Sequence, residues 1–196
     1  LPHKVMLKKI IKLARNILCL IGLIAISPFL ILASLIIIFE DGFPIFFIQK
    51  RVGKDKKFFD IIKIRTLQKN TPNTGTHELQ SRHLLVNGKW IRKIKLDEFP
   101  QLVNVLKGDI NIVGPRPGLV GQNELLNARS LKNIYAVKPG ITGLAQILGY
   151  DMSDPERLAE IDEKYIVNKS LFLDLCIILG TFFTYPRQKL KIKLKI

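Results

Sequence analysis

An α+β fold, mostly helical and held at a membrane, is predicted by three features of this 196-residue sequence. First, Ile17 to Phe39 is a run of 23 residues without a charge, enough helix to reach across a ~30 Å hydrocarbon core. Second, two runs rich in β-branched and aromatic residues, Pro44 to Gln49 and Phe58 to Arg65, flank Val52-Gly53-Lys54-Asp55 and read as a β-hairpin. Third, apolar residues recur at helical spacing in several short segments after the hairpin, including amphipathic ones suited to a membrane interface. The expected organisation is a membrane-embedded N-terminal helix over 1–40 and one domain over 41–196.

Charge narrows the partners. Lys and Arg number 31 against 16 Asp and Glu, a net +15, which calls for something anionic. An apolar fraction of 47% argues against a nucleic-acid-binding arm. An anionic phospholipid surface and a phosphorylated substrate are left, and the two are compatible. Cys19 and Cys176 lie far apart in apolar runs, so neither a disulfide framework nor a metal site is expected, and a reducing compartment fits. His3, His77 and His83 form no metal-ligand spacing and read as solvated.

Residues 1–16 interleave Lys4, Lys8, Lys9, Lys12 and Arg15 with aliphatic residues, a pattern suited to lipid headgroups. The apolar run that follows is too long for a cleaved signal peptide. At its middle stands Ser27-Pro28, where proline removes a backbone donor and breaks or bends a helix. Basic residues gather at both ends, with Lys50, Arg51, Lys54, Lys56 and Lys57 following the run. Positive charge marks the cytoplasmic side of a membrane segment. Both ends therefore read as cytoplasmic, and a re-entrant helix turning at Ser27-Pro28 stands beside a kinked span as the expectation. In the re-entrant form the serine hydroxyl would satisfy a carbonyl freed at the break.

In the second run of the hairpin, Lys63 and Arg65 fall on one face of a strand. Residues 67–88, polar and rich in Thr, Asn and Gly, read as an irregular loop. Trp90 to Lys93 then leads into Asp97-Glu98. A helix is expected from there, with Asp97 as N-cap, Phe99, Leu102, Val103 and Leu106 as its packed face, and Lys107-Gly108 as its end. Two carboxylates beside Arg92, Lys93 and Lys95 are either an ordinary helix start or a site that binds a divalent cation.

Gly114-Pro115-Arg116-Pro117 is a stiff turn that presents one guanidinium, suited to phosphate. In Pro139-Gly140-Ile141-Thr142-Gly143 the glycines would let backbone approach a ligand. Ser153-Asp154-Pro155-Glu156 starts a helix with Leu158, Ile161, Tyr165 and Ile166 as its stripe. Leu171 to Tyr185 is apolar but short for a span, and Pro186 to Ile196 alternates basic with aliphatic residues, as for anionic lipid.

Taken in order, Ser27-Pro28, Lys63-x-Arg65-Thr66, Asp97-Glu98-x-Pro100-Gln101, Asn104 to Asp109, Gly114 to Pro117, Pro139 to Gly143 and Asp162-x-x-Tyr165 resemble the bacterial sugar transferases, the small monotopic phosphoglycosyl transferases acting on polyprenyl phosphate. The resemblance implies transfer of a sugar phosphate from a nucleotide diphosphate sugar, usually a UDP-sugar, to undecaprenyl phosphate at the cytoplasmic face of the bacterial inner membrane. It implies Asp97 as nucleophile through a covalent phosphosugar, release of UMP, and Glu98 as ligand to Mg²⁺. Arg92 and Arg116 are implied as phosphate-binding residues, with Lys63 as a further one. Such enzymes open glycan assembly, of exopolysaccharide or lipopolysaccharide, and hand their product to downstream glycosyltransferases. Leu67 departs from the family pattern, where Met is frequent, and so does Tyr150-Asp151. The competing expectation is a non-catalytic membrane-anchored module that binds lipid or a partner protein.

Overall fold

A computed structural model of the chain describes residues 2–69, 71 and 83–194. His77 and most of the expected 67–88 loop lie outside the described residues, as does the side chain of His3. The described chain falls into two compact units. The first holds 2–49, 61–69, 71 and 83–108, and the second holds 50–60 and 109–194.

The first unit opens with α1, Pro2–Asp41, a helix of 40 residues. Its length of roughly 60 Å far exceeds what a hydrocarbon core requires. One stripe of α1 is packed: Ala33 and Ile37 are buried with Ile64, Leu85, Ile91 and Leu96, and Ile26, Leu30 and Phe99 are half-buried beside them. The rest of its surface is bare and apolar, with Leu18, Ile24, Phe29, Ile31, Leu32 and Phe39 all exposed. Water penalises such a surface and lipid does not, so this helix fits membrane association. Helical structure continues through Ser27 and Pro28, which differs from the expected break. The hydroxyl of Ser27 donates to the carbonyl of Ile24 at 2.8 Å. That carbonyl is the one whose helical donor Pro28 lacks.

The C-terminal end of α1 grips the chain that follows. The Glu40 carboxylate accepts hydrogen bonds from the backbone N–H of Asn87, at 3.2 Å, and from its side-chain amide, at 2.9 Å, just before α2, Gly88–Lys93. Asp41 pairs with the buried Arg65, whose guanidinium also donates to the carbonyls of Gly42, Pro44 and Leu67. Strands β1, Phe46–Val52, and β2, Phe58–Ile64, form the expected hairpin. Their bases lie in the first unit and their tips in the second.

The second unit adds β3, Asn111–Val113, and β4, Gly118–Leu119, the latter antiparallel to β1 with Arg51 opposite Leu119. Helix α4, Asn123–Leu131, precedes β5, Gly140–Thr142, which pairs parallel with β3. The core is built by α5, Leu144–Leu148, α6, Pro155–Val167, α7, Leu171–Phe182, and α8, Thr184–Leu194. Asp154 caps α6 with Pro155 in its first turn, and Leu158, Ile161 and Tyr165 are buried as the stripe requires. The acid inside apolar α7 is accounted for: the Tyr165 hydroxyl donates to Asp174 Oδ1 at 2.8 Å. Leu173 and Ile177 face the core, while Leu171, Phe172, Leu175 and Phe182 are exposed.

The glycines of the 139–143 motif have a different purpose from the expected one. A Cβ on Gly140 would stand 2.1 Å from the Gly114 nitrogen, and one on Gly143 would stand 2.3 Å from the Gly114 oxygen. The backbone they admit is another stretch of this chain, in a ladder where Gly114 N–H donates to Thr142 and Gly140 N–H to Pro115.

Candidate functional site

The acid pair is reached through a sharp reversal. Lys95, in the left-handed region at φ 59, turns the chain just after α2, and Leu96–Glu98 forms a single 3-10 turn. Leu96 is buried against α1, which anchors the turn. Helix α3, Gln101–Lys107, begins only after Pro100. Asp97 is thus not the N-cap the sequence suggested. Pro100 would be the third residue of a helix capped there and has no N–H for the cap to bind. Gly108 closes α3 at φ 88, as expected.

Asp97 is 8% exposed and Glu98 half-buried. From β2, Lys63 extends its Nζ to Glu98 Oε1 at 2.9 Å. Arg92 of α2 donates through Nε to Thr66 Oγ1 at 2.7 Å, so the arginine before the acid pair is tied to the Lys63-x-Arg65-Thr66 segment. Helix α3 is fixed to β2 by Asn104, whose Oδ1 accepts from the Ile62 N–H at 3.1 Å. The face of α3 that is fully buried is Gln101, Asn104 and Val105. The expected apolar face, Phe99, Leu102, Val103 and Leu106, is only half-buried. The polar residues go inward because the strand edge supplies a donor for Asn104. Gln101, 2% exposed, keeps its Nε2 without a hydrogen-bond partner among the described residues.

Among the described residues no group of three or more His, Cys, Asp and Glu could hold a metal ion. Mg²⁺ bound jointly with substrate phosphates needs only one or two protein carboxylates. Asp97 and Glu98 suit that kind of donor set, with the Lys63 ammonium as a rival for Glu98.

Arg116 belongs to the second unit, on the turn between β3 and β4, with Pro115 and Pro117 buried and the arginine half-exposed. Its carbonyl accepts from Arg129 Nη1 at 2.7 Å, and the carbonyl of Pro117 accepts from Arg51 Nη1 at 3.1 Å. Arg129, 2% exposed, also donates through Nε and Nη2 to Asp162 Oδ2 at 3.0 and 2.6 Å. Burial pushes the Asp162 carboxyl up, against the pull of Arg129. Arg129 gave no signal in a polar stretch of sequence. Asp162 did, since it falls between Ile161 and Tyr165 on the inward side of α6, where a carboxylate needs a cation.

A family model described as bacterial sugar transferase matches residues 5–188. The chain belongs to the bacterial sugar transferase family. Family members similar to it include the sugar transferase EpsL of Bacillus subtilis, 42% identical over 137 residues, covering 70% of this chain and 67% of that protein. The exopolysaccharide production protein ExoY of Sinorhizobium fredii is 34% identical over 183 residues, covering 84% and 80%. The UDP-N-acetylgalactosamine-undecaprenyl-phosphate N-acetylgalactosaminephosphotransferase of Aeromonas hydrophila is 38% identical over 165 residues, covering 81% of this chain and 39% of that longer protein.

Proposed function

We propose that this chain is a phosphoglycosyl transferase that moves a sugar phosphate from a nucleotide diphosphate sugar, a UDP-sugar, to undecaprenyl phosphate. The observation that carries the reading is the turn Leu96–Glu98, where a buried Asp97 sits beside a Glu98 already paired with a cation. Relatives whose names state undecaprenyl-phosphate sugar phosphotransferase activity support the reaction class.

A carboxylate of Asp97 attacks the sugar-linked phosphorus. The bond from that phosphorus to the bridging oxygen breaks, and UMP departs with the electron pair. Undecaprenyl phosphate then attacks the same phosphorus and frees Asp97, leaving the sugar on a lipid diphosphate. An anionic nucleophile approaching a diphosphate meets repulsion, so cations are a chemical need. Lys63, Arg92 and Arg116 are the phosphate-binding residues. Glu98 is the ligand for Mg²⁺, which when bound neutralises diphosphate charge and stabilises the leaving group.

In this reading α1 bends at Ser27-Pro28 without losing its helical structure and re-emerges on the side it entered, with both ends on the cytoplasmic face of the inner membrane, so that lipid phosphate and soluble donor arrive from the same side. The bare faces of α7 and the basic α8 rest against anionic phospholipid. The product opens an exopolysaccharide or lipopolysaccharide and passes to downstream glycosyltransferases.

The test is to incubate membrane-extracted protein with labelled UDP-sugars, undecaprenyl phosphate and Mg²⁺, beside an Asp97→Ala variant. UMP release by the first and none by the second is expected. Absence of UMP with every donor would leave the non-catalytic membrane module as the function, and normal turnover by Asp97→Ala would reject Asp97 as the nucleophile. Topology is read by labelling single cysteines at positions 3 and 54, and labelling from opposite sides rejects the re-entrant helix.

A further inference from the structure

We infer that Arg129 and Asp162 are positioning residues, a buried brace that fixes the backbone of the turn on which Arg116 is presented. The inference rests on the proposed reading of Arg116 as a phosphate-binding group.

The turn needs outside donors. Pro115 and Pro117 have no N–H, so within Gly114 to Pro117 the backbone holds four carbonyls and only two donors. Gly114 N–H is used by Thr142 at 2.9 Å, and the carbonyl of Pro115 is met by Gly140 at 3.0 Å. The carbonyls of Arg116 and Pro117 are met by guanidinium groups, those of Arg129 and Arg51. Arg129 has the geometry for this because its fork carries five N–H groups in one plane. Two sides of it are spent on Asp162, and Nη1 is left to point at Arg116.

Stability alone is a poor reason for such a pair. Two charges taken out of water cost more than apolar packing of the same volume in many proteins. What the pair adds here is location: a carboxylate on α6 orients an arginine on α4, and the arginine's third contact fixes the carbonyl of the residue whose side chain is to meet phosphate. A misplacement on the order of 1 Å is enough to lose a bidentate contact.

The experiment measures donor kcat/KM by UMP release, with melting temperatures, for the full chain and for Arg116→Ala, Arg129→Lys and the double variant. Lysine keeps the charge beside Asp162 and removes the fork. Arg129→Lys alone is expected to lose about tenfold, carried by KM, and to change kcat/KM less than about twofold when Arg116 is already alanine. Because a buried arginine is a demanding site, Asp162→Asn is run in the same cycle with the same expectation. Losses that multiply in the double variants would overturn the brace and leave the pair a stabilising element only. An Arg116→Ala protein that turns over like the parent would also overturn it. Those outcomes leave the proposed reaction standing, whereas a parent chain that releases no UMP with any donor rejects the reaction itself.

Discussion

The Nζ of Lys63 lies 2.9 Å from Oε1 of Glu98, tying strand β2 to the turn that carries both carboxylates. Both side chains are largely out of water, so the pair is not one of the many surface ion pairs that contribute nothing measurable. In the proposed reading it also sets up a competition, because a Mg²⁺ ion held by Glu98 would have to share its oxygens with an ammonium or displace it. Lys63→Met is therefore expected to lower the Mg²⁺ concentration giving half-maximal UMP release by roughly tenfold, the worth of one charge-assisted hydrogen bond, while lowering kcat. An Mg²⁺ titration checks this, and an unchanged midpoint in Lys63→Met would remove Glu98 as the ligand.

Asp97 and Glu98 point in directions about 120° apart, because the turn they share is a 3-10 helix rather than an α-helix. That divergence is what the proposed division of labour, Asp97 as nucleophile and Glu98 as metal ligand, requires. Asp97→Glu retains the charge and shifts the carboxylate by one methylene. It is expected to lower kcat by at least about 100-fold. Since Asp97 is buried, the added methylene also costs about 1–3 kcal/mol of stability. UMP release and thermal melting separate the two effects, and near-normal kcat in Asp97→Glu would contradict attack by this carboxylate.

Local patterns were legible in the sequence and long-range pairings were not. The apolar helix, the hairpin and the capped start of α6 each declare themselves within one contiguous stretch through composition, turn chemistry or a cap. Asp97-Glu98 stood out by its cationic surroundings, yet the 3-10 turn that holds it depends on Lys95 adopting a left-handed conformation, which no pattern announces. Residues that serve partners far along the chain gave the weakest signals. Arg129 acts on positions 13 and 33 residues away, and Asn104 on a strand 42 residues earlier. The glycines of 139–143 were conspicuous, but only the fold shows that they clear space for Gly114.

That clearance makes a sharp contrast between glycines. Gly140→Ala would press a methyl into the Gly114 nitrogen in the β3–β5 ladder, and neither stretch can retreat without losing hydrogen bonds. Overpacking of this kind costs about 3 kcal/mol or more where backbone blocks the way. Gly121→Ala meets nothing within 4 Å and is expected to be neutral within about 0.5 kcal/mol. Melting temperatures of the two variants in the same detergent decide the matter; comparable losses in both would refute the close approach of the two loops.

Tyr165 supplies a pH-dependent test of the second unit's core. Its hydroxyl is pushed well above the ordinary tyrosine range by burial and by the hydrogen bond to Asp174. In the unfolded chain the same hydroxyl ionises near its reference value of about 10. A group whose folded pKa is raised adds stability that is whole below the unfolded value and is lost as pH climbs past it. Tyr165→Phe cannot titrate, and it leaves Asp174 without this donor. At about pH 8 the parent chain is therefore expected to exceed Tyr165→Phe by about 1–2 kcal/mol. Above about pH 10 that advantage shrinks by as much as ~1.4 kcal/mol per pH unit, because the unfolded chain gives up a proton that the folded chain keeps. Denaturant unfolding of both proteins across the alkaline range measures the gap, and the other tyrosines cancel in the difference. A gap that stays constant from about pH 8 to 11 would show that the hydroxyl titrates alike in the folded and unfolded chains, contrary to its burial beside Asp174.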